Sequence, residues 1–220
     1  MKVEFLGHAA FLITEESYTL LFDPFLTGNP LAAKKADEVK VTHIFVSHAH
    51  SDHLGDAIQI AKNSDATVYA VFEVAQIFEK EGIKVQAGNL GGRLPADFGS
   101  VKIFQAFHSS GVAGGSASGF VVELIGKKIY FAGDTALFGD MSLLESEEID
   151  LALLPIGDSY TMGIEDAAKA VEMIKPKKVI PMHYNTFPAI QRDPMEFKKL
   201  VEARTQTEVI ILKPGESVEI

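Results

Sequence analysis

Four side chains that can bind metal ions follow one apolar segment almost without interruption. The segment Val41–Ser47 (VTHIFVS) predicts a strand, and His48, His50, Asp52 and His53 come directly after it. In an extended chain, residues two apart point to the same side, so the first two histidines can face one ion. The aspartate and the third histidine are then free to face a second ion. Imidazole and carboxylate groups are ordinary ligands of first-row divalent metals, so the fold must bring this strand end to further ligands.

Three more candidate ligands also follow predicted strands. His108 follows VKIFQAF, Asp134 follows KKIYFA within a Gly-Asp-Thr segment, and His183 follows KKVIPM. Each of them, taken alone, is compatible with an ordinary loop or turn residue. Sheet-based enzymes, however, place ligands and catalytic groups just past the ends of strands. Taken together, the three positions supply the ligands that the first segment lacks.

The remaining pattern predicts strands in groups early in the chain and strands that alternate with helices later. The predicted helices are Leu54–Lys62, Val74–Glu81, Glu165–Ile174 and Pro194–Ala203. The segments expected to be loops that determine specificity are Leu26–Asp37, Leu90–Phe98 and Ser109–Gly119. This order indicates a mixed architecture of sheets covered by helices. No linker divides the chain, so we expect one domain over residues 1–220.

Composition excludes several classes of protein. The net charge is −10 with only three arginines, which argues against generic binding to nucleic acids. Cysteine is absent, so the chain has neither disulfides nor thiolate ligands. No run of 18 apolar residues predicts a membrane span, and the N-terminal residues MKVEFLGHAAFLITEE carry acidic groups where a signal peptide would be apolar. We therefore expect a cytoplasmic protein without a membrane partner.

The motifs in their order resemble those of the metallo-β-lactamase superfamily. They are HAHSDH, a later strand-end histidine, the aspartate of GDT and the histidine of PMH, and the resemblance extends from GHAAFLI to PMHYN. It implies an α+β fold, a four-layer αβ/βα sandwich with a binuclear metal site at the sheet edges. Within the superfamily, the chain looks most like the small metal-dependent hydrolases. These are similar to the ascorbate-6-phosphate lactonase and N-acyl-phosphatidylethanolamine phospholipase D groups, which also open with a GHA- or GHS-like segment.

The resemblance also implies a role for each ligand. The first ion would be held by three histidines, the second by one aspartate and two histidines, and a further aspartate would bridge the two: His48, His50 and His108; Asp52, His53 and His183; and Asp134. The cofactors would be two divalent ions, with Zn expected first and Mn, Ni, Fe and Co as alternatives.

A mechanism follows from these expectations. A hydroxide that bridges the two ions would attack a phosphodiester, a phosphorylated lactone or a similar ester or amide bond, and Asp52 would hold or receive its proton. With two divalent ions, this hydroxide and the carboxylates of Asp52 and Asp134, the site carries a charge of about +1, which favours a small anionic substrate.

Five other residues receive an interpretation. We expect His8, at the end of the first strand, to be catalytic as a substrate contact, a proton donor or an alternative ligand. Asp23 is expected to orient a ligand histidine, since carboxylates commonly bond to metal-bound imidazole. Asp158 and Tyr160 follow a strand and are expected to line the pocket. His43 is expected to be structural, because it points away from His48 along the predicted strand.

Two other functions remain open from the sequence. One is an iron-dependent oxidative enzyme of the same fold, and the other is a non-catalytic protein that binds a metal or a ligand. Assembly into a homo-oligomer is also compatible with the sequence, although no interface is visible in it.

Overall fold

Two seven-stranded sheets form the centre of the computed structural model, which describes residues 1–220. The fourteen strands, in chain order, are β1 (Lys2–Gly7), β2 (Ala10–Glu15), β3 (Tyr18–Phe22), β4 (His43–Phe45), β5 (Thr67–Val71), β6 (Val85–Gly88), β7 (Arg93–Ala96), β8 (Gly99–Gln105), β9 (Ser118–Leu124), β10 (Lys127–Phe131), β11 (Leu151–Pro155), β12 (Lys178–Met182), β13 (Glu208–Val209) and β14 (Ser217–Glu219). The first sheet has the order β14-β1-β2-β3-β4-β5-β6 and the second the order β13-β12-β11-β10-β9-β8-β7. The mixed α+β sandwich expected from the sequence is confirmed.

Helices lie in the connections between the strands of both sheets. The α-helices are α1 (Ser51–Leu54), α2 (Ala57–Ser64), α3 (Phe72–Lys80), α4 (Ile164–Ile174) and α5 (Pro194–Arg204), and short 3-10 helices occupy Ala36–Glu38, Gly139–Glu147 and Pro188–Ile190. On α4, the buried residues include Ala167, Ala168, Val171 and Ile174, at the helical spacing that the sequence predicts. None of the helices combines the length and the apolar composition that crossing a membrane requires.

Aromatic side chains join the inner faces of the two sheets. Phe22 stacks on Phe45 within the first sheet, with ring centroids 4.6 Å apart. Across the interface, Phe22 lies 5.1 Å from Phe131, and Phe45 lies 5.5 Å from Phe120. All four rings are fully buried. Each such ring stabilises the fold by roughly 1.5–3 kcal/mol relative to an exposed one, so these contacts hold the two sheets in a fixed relation.

Strand directions bring many connections to one edge of the sandwich. In the first sheet, β3, β4, β5 and β6 pair in parallel, and β1 runs in the direction of β3 because both are antiparallel to β2. In the second sheet, β10 to β13 are parallel, and β8 shares the direction of β10 because both are antiparallel to β9. The carboxyl ends of parallel strands meet at the same edge of a sheet, where ligands bind in such folds.

Three predicted elements differ from the structure. The helix predicted over Leu54–Lys62 is two helices, because the chain turns at Gly55, where φ is +42° and a β-carbon would lie 2.3 Å from the Pro24 carbonyl oxygen. The strand predicted over Val41–Ser47 pairs only over β4. The segment expected to be a loop at Leu90–Phe98 contains β7, which is a half-exposed edge strand with a proline, so its pattern is weak.

Candidate metal centre

The connections after several strands turn sharply toward one point. His8 follows β1, Asp23 follows β3 and His183 follows β12, and all three have positive φ angles, of +60°, +36° and +55°. Residues other than glycine rarely adopt this conformation, which costs of the order of 1–3 kcal/mol each. Tertiary contacts hold these turns: the His183 amide donates to the His8 carbonyl oxygen at 2.7 Å, and the Asp23 amide donates to the Phe45 carbonyl oxygen at 3.0 Å.

Three histidines form the first cluster of candidate ligands. The Nδ1 atom of His50 lies 3.0 Å from Nε2 of His48 and 3.3 Å from Nε2 of His108. One nitrogen of each ring therefore points to a common centre, and these atoms lie within 4.8 Å of one another. His48 and His50 face the same side of the chain after β4, as their spacing indicates. His108, the third member, follows β8 of the other sheet.

Asp52, His53 and His183 form a second cluster beside the first. The Oδ2 atom of Asp52 lies 3.9 Å from Nε2 of His53 and 4.0 Å from Nε2 of His183. Asp134 lies between the two clusters. Its Oδ2 atom is 3.1 Å from Nε2 of His183, 3.3 Å from Nε2 of His53 and 3.6 Å from Nε2 of His108. The structure thus brings together all seven residues that the sequence singles out as ligands.

Unpartnered polar atoms test whether these residues suit a metal ion. Nε2 of His53, Oδ1 of Asp134 and both ring nitrogens of His183 are buried without a hydrogen-bond partner. A buried polar atom without a partner costs about 1–3 kcal/mol. Nε2 of His53, Nε2 of His183 and Oδ1 of Asp134 lie at the centre, so these three atoms would be a large penalty for a purely structural cluster. Lone pairs that point to a cation remove this penalty. The donor set of imidazole nitrogens and carboxylate oxygens therefore fits a divalent first-row metal.

Burial and charge set the protonation of the ligands. Burial lowers the pKa of His48 to about 2, so its ring is neutral and carries a free lone pair. Burial opposes the charge on His53, but the carboxylates of Asp134 and Asp23 outweigh it and raise the pKa of His53 well above its usual value. Burial likewise opposes the charge on Asp134, and the imidazoles of His53 and His183 lower the pKa of Asp134 well below its usual value. The pocket is thus arranged around negative carboxylates that a cation would neutralise.

Asp23 and Ser47 contact the Nδ1 atoms of two candidate ligands, on the side of each ring that faces away from the centre. Oδ2 of Asp23 lies 2.7 Å from Nδ1 of His53 and accepts from the Ser47 hydroxyl, and Oδ1 accepts from the Ser47 amide at 2.8 Å. Ser47 Oγ lies 2.9 Å from Nδ1 of His48. Both rings can therefore carry their proton on Nδ1, which leaves Nε2 free to face the centre. The expected contact between Asp23 and a ligand histidine is present. The hydrogen bonds by which Ser47 connects Asp23 to His48 were not predicted.

His8 is part of the second cluster, as the alternative-ligand interpretation requires: one of its ring nitrogens lies within 4.8 Å of the ligand atoms of Asp52, His53 and His183, and the residue has no exposed surface. Its Nδ1 atom is 2.8 Å from the Thr186 hydroxyl, and its Nε2 atom is 3.3 Å from Oδ2 of Asp52. Its ring centroid lies 4.1 Å from that of His183. Burial lowers the pKa of His8 to about 4, although the hydrogen bond that its ring donates to the Asp52 carboxylate opposes this effect. Thr186 carries no signal in the sequence, since it meets His8 only across 178 residues.

A cavity of about 460 Å³ opens above the centre. It is lined by His50, Asp52, His108, Ser109, Asp134, Tyr160, His183 and Phe187. Tyr160 is 63% exposed and lies at the rim, as the sequence predicts. Asp158 is not among the lining residues, since its carboxylate is paired with Arg192 at 2.7 Å. Phe187 was not predicted, because an isolated aromatic residue in a loop carries no pattern.

His43 lies away from this centre, in contact with a different part of the chain. Its Nε2 atom is 3.3 Å from Asp97, and its ring meets Phe98 edge-on at 4.8 Å. Burial lowers its pKa. The interpretation of His43 as a structural residue agrees with these contacts.

Comparisons with known proteins identify the family. Residues 18–184 match the model of the beta-lactamase superfamily domain. Among curated proteins, metal-dependent hydrolases from Pelotomaculum thermopropionicum and Thermococcus onnurineus are each 52% identical to this chain over 229 residues, with full coverage of both chains. Among solved structures, a metallo hydrolase from the hyperthermophilic archaeon Ignicoccus hospitalis superposes with a TM-score of 0.93 and is 35% identical. That match covers 99% of this chain and 97% of the other.

Proposed function

The chain belongs to the beta-lactamase superfamily, within its metal-dependent hydrolases, and we propose that it holds two divalent ions at the centre described above and hydrolyses a small ester-type substrate there. The single observation that carries this proposal is the convergence of buried imidazole and carboxylate atoms that lack any other partner. Although Oδ2 of Asp134 lies within ion-pair distance of two of the rings, several polar atoms here still lack a well-aligned hydrogen bond, which a site that only stabilised the fold would rarely leave so.

We assign the ligands to two ions by their distances. His48, His50 and His108 would hold the first ion through Nε2, Nδ1 and Nε2. Asp52, His53 and His183 would hold the second ion, because their ligand atoms, together with a ring nitrogen of the buried His8, lie within 4.8 Å of one another. The position of Oδ2 of Asp134 between the groups supports a bridging role.

When bound, divalent ions at such a site lower the pKa of a coordinated water toward about 7 and stabilise negative charge on the substrate. The residues of the chain supply the remaining functions. Asp52 is partly exposed to the cavity, so its carboxylate can receive a proton during hydrolysis. The excess positive charge of the loaded centre supports an anionic or strongly polarised reacting group, such as a phosphodiester, a lactone or a related ester or amide.

His8 acts as a positioning residue in this proposal. It has no exposed surface with which to contact substrate, and it links Thr186 to the Oδ2 atom of Asp52. Replacing His8 by Ala should therefore strongly lower turnover and the affinity for the second ion, while the free energy of unfolding changes little. If metal affinity were unchanged and only the thermal midpoint fell, His8 would have a purely structural role.

The test of the proposal is elemental analysis of the purified protein together with turnover of bis(p-nitrophenyl) phosphate in apo and metal-reconstituted forms. We expect two metal ions per chain and cleavage that depends on them, and we expect His48→Ala to weaken binding of the first ion and to abolish cleavage. The matched control is His43→Gln, because His43 is a buried histidine remote from the centre, paired with Asp97. One iron per chain without cleavage would favour the oxidative alternative, and no bound metal after reconstitution would show that the ligand assignment is wrong.

A further inference from the structure

Aromatic side chains form the exposed rim of the cavity above the centre. Tyr160 and Phe187 line the cavity and are 63% and 37% exposed. Phe107, directly before the ligand His108, is 54% exposed and packs against Phe138 at 5.0 Å between ring centroids. Large apolar side chains exposed beside a catalytic centre leave surface that a ligand can cover.

The same rim offers almost no positive charge. The segments that contribute lining residues are 46–56, 106–117, 132–138, 156–163 and 183–193, and they contain one arginine and no lysine. That arginine, Arg192, pairs with Asp158 at 2.7 Å and also donates to the Gln191 carbonyl oxygen at 2.6 Å. A charged group of the substrate outside the metal centre would therefore find no free cation.

A helix N-terminus does not replace the missing cation. The helix α4 begins at Ile164, directly after the loop that carries Tyr160. Its first turn carries Glu165 and Asp166, whose negative charges already occupy the positive end of the helix dipole. A phosphate placed there would meet two carboxylates.

From the aromatic rim and its lack of free cations, we propose that the part of the substrate outside the metal centre is an uncharged aryl or alkyl group. This inference rests on the proposed hydrolase function and narrows it. Among the ester classes considered, it favours a carboxylic ester or lactone with an apolar substituent over a phosphorylated lactone. In the hydrolysis of such an ester, the oxygen of water bonds to the acyl carbon, the bond to the leaving oxygen breaks, and that oxygen takes up a proton.

The test compares p-nitrophenyl esters that share one leaving group and differ in the acyl part. The metal-reconstituted protein is assayed with the acetate, the butyrate, the hexanoate and the negatively charged hemiglutarate. We expect kcat/KM to rise from acetate to hexanoate by about tenfold or more, because each methylene group that enters an apolar pocket improves binding. The hemiglutarate, with a similar length and a terminal carboxylate, should lose that gain.

Variants assign the gain to the rim. Phe187→Ala and Tyr160→Ala should each reduce the ratio of hexanoate to acetate kcat/KM several-fold. Ile125→Ala should leave the ratio unchanged, because Ile125 is an exposed apolar residue at the hairpin between β9 and β10, at the opposite end of the strands. Both rim residues are partly exposed, so these variants should fold, which their circular dichroism spectra would verify.

The outcomes separate the two proposals. If the loaded protein hydrolyses esters but prefers the hemiglutarate, or if the rim variants keep the ratio, the substrate inference is overturned and the hydrolase function stands. If no ester and no bis(p-nitrophenyl) phosphate is cleaved, the proposed function itself fails. If light scattering detects a dimer that Phe187→Ala and Tyr160→Ala dissociate, a second copy of the chain covers the rim, and the inference is again overturned.

Discussion

Replacing Asp23 by Asn should weaken metal binding while it leaves the fold in place. The change removes one charge and nearly preserves the shape of the side chain. The carboxylate accepts three hydrogen bonds: from the Ser47 amide at 2.8 Å, from the Ser47 hydroxyl, and from Nδ1 of His53 at 2.7 Å. An amide has one oxygen, so it cannot accept at both carboxylate positions.

The consequence reaches the centre through the tautomer of His53. If the amide oxygen keeps the bond from the Ser47 amide, its NH₂ group faces Nδ1 of His53, which must then accept. The ring proton moves to Nε2, the atom that lies 3.3 Å from Asp134 and faces the proposed ion. If the amide flips instead, its NH₂ group meets the Ser47 amide as a second donor. The first arrangement opposes ligation, since the tautomer of a ligand histidine is set by the bond at its other nitrogen. The second keeps the tautomer of His53 but sets two donors against each other, which displaces the side chain that holds the ring.

The expected magnitude is a 10- to 100-fold loss of metal affinity, the usual effect of removing a partner of a ligand histidine. This corresponds to about 1.4–2.8 kcal/mol. The assay is competition for Zn²⁺ between the protein and a chromophoric chelator, with circular dichroism to verify the fold. The control is Asp158→Asn, which removes an exposed carboxylate paired with Arg192 and touching none of the histidines. If Asp23→Asn bound Zn²⁺ within twofold of the unmodified protein, the orienting role of Asp23 would be refuted.

Three further predictions test other parts of the structure. Tyr130→Phe should raise the free energy of unfolding by about 1–3 kcal/mol, because the fully buried hydroxyl of Tyr130 has no partner; a thermal midpoint that falls would contradict this. Gly157→Ala should lower both metal affinity and stability, the latter by about 1–3 kcal/mol, because a β-carbon would lie 2.2 Å from the carbonyl oxygen of His183; zinc titration and calorimetry would measure the two effects. Asp150→Asn should destabilise the protein at pH 7, because the hydrogen bond from Lys177 at 2.7 Å outweighs burial and lowers the pKa of Asp150 below 3.8. A carboxylate whose pKa is lower in the folded than in the unfolded protein stabilises the fold at pH values above its unfolded pKa, and this stabilisation is lost as the pH falls. The difference in urea midpoint between variant and parent should therefore shrink below about pH 4.

Elements with strong local patterns could be predicted from the sequence. The helix α4 follows the spacing of its buried residues, and the early strands follow runs of apolar residues. The short edge strand β7 could not be predicted, since half of its surface is exposed and it contains Pro95. The break at Gly55 also lacks a local cause, because it depends on how closely the chain approaches Pro24.

The sequence by itself determined which residues could serve as ligands. Imidazole and carboxylate groups directly after apolar strands indicate ligands at the ends of those strands. In a sheet of parallel strands these ends lie at the same edge, whatever the order of the strands. Local chemistry and spacing therefore sufficed to select the set from His48 to His183, all of which the fold brings to one centre.

Only the tertiary structure decided what surrounds that centre. The placement of Asp134 between the clusters, the bond from His8 to Thr186 and the aromatic rim with its single, paired arginine all join residues far apart in the chain. Such contacts depend on the packing of one sheet against the other, through rings such as Phe22 and Phe131. A local pattern cannot encode them, because the free energy that fixes these side chains comes from burial between segments that meet only after the chain has folded.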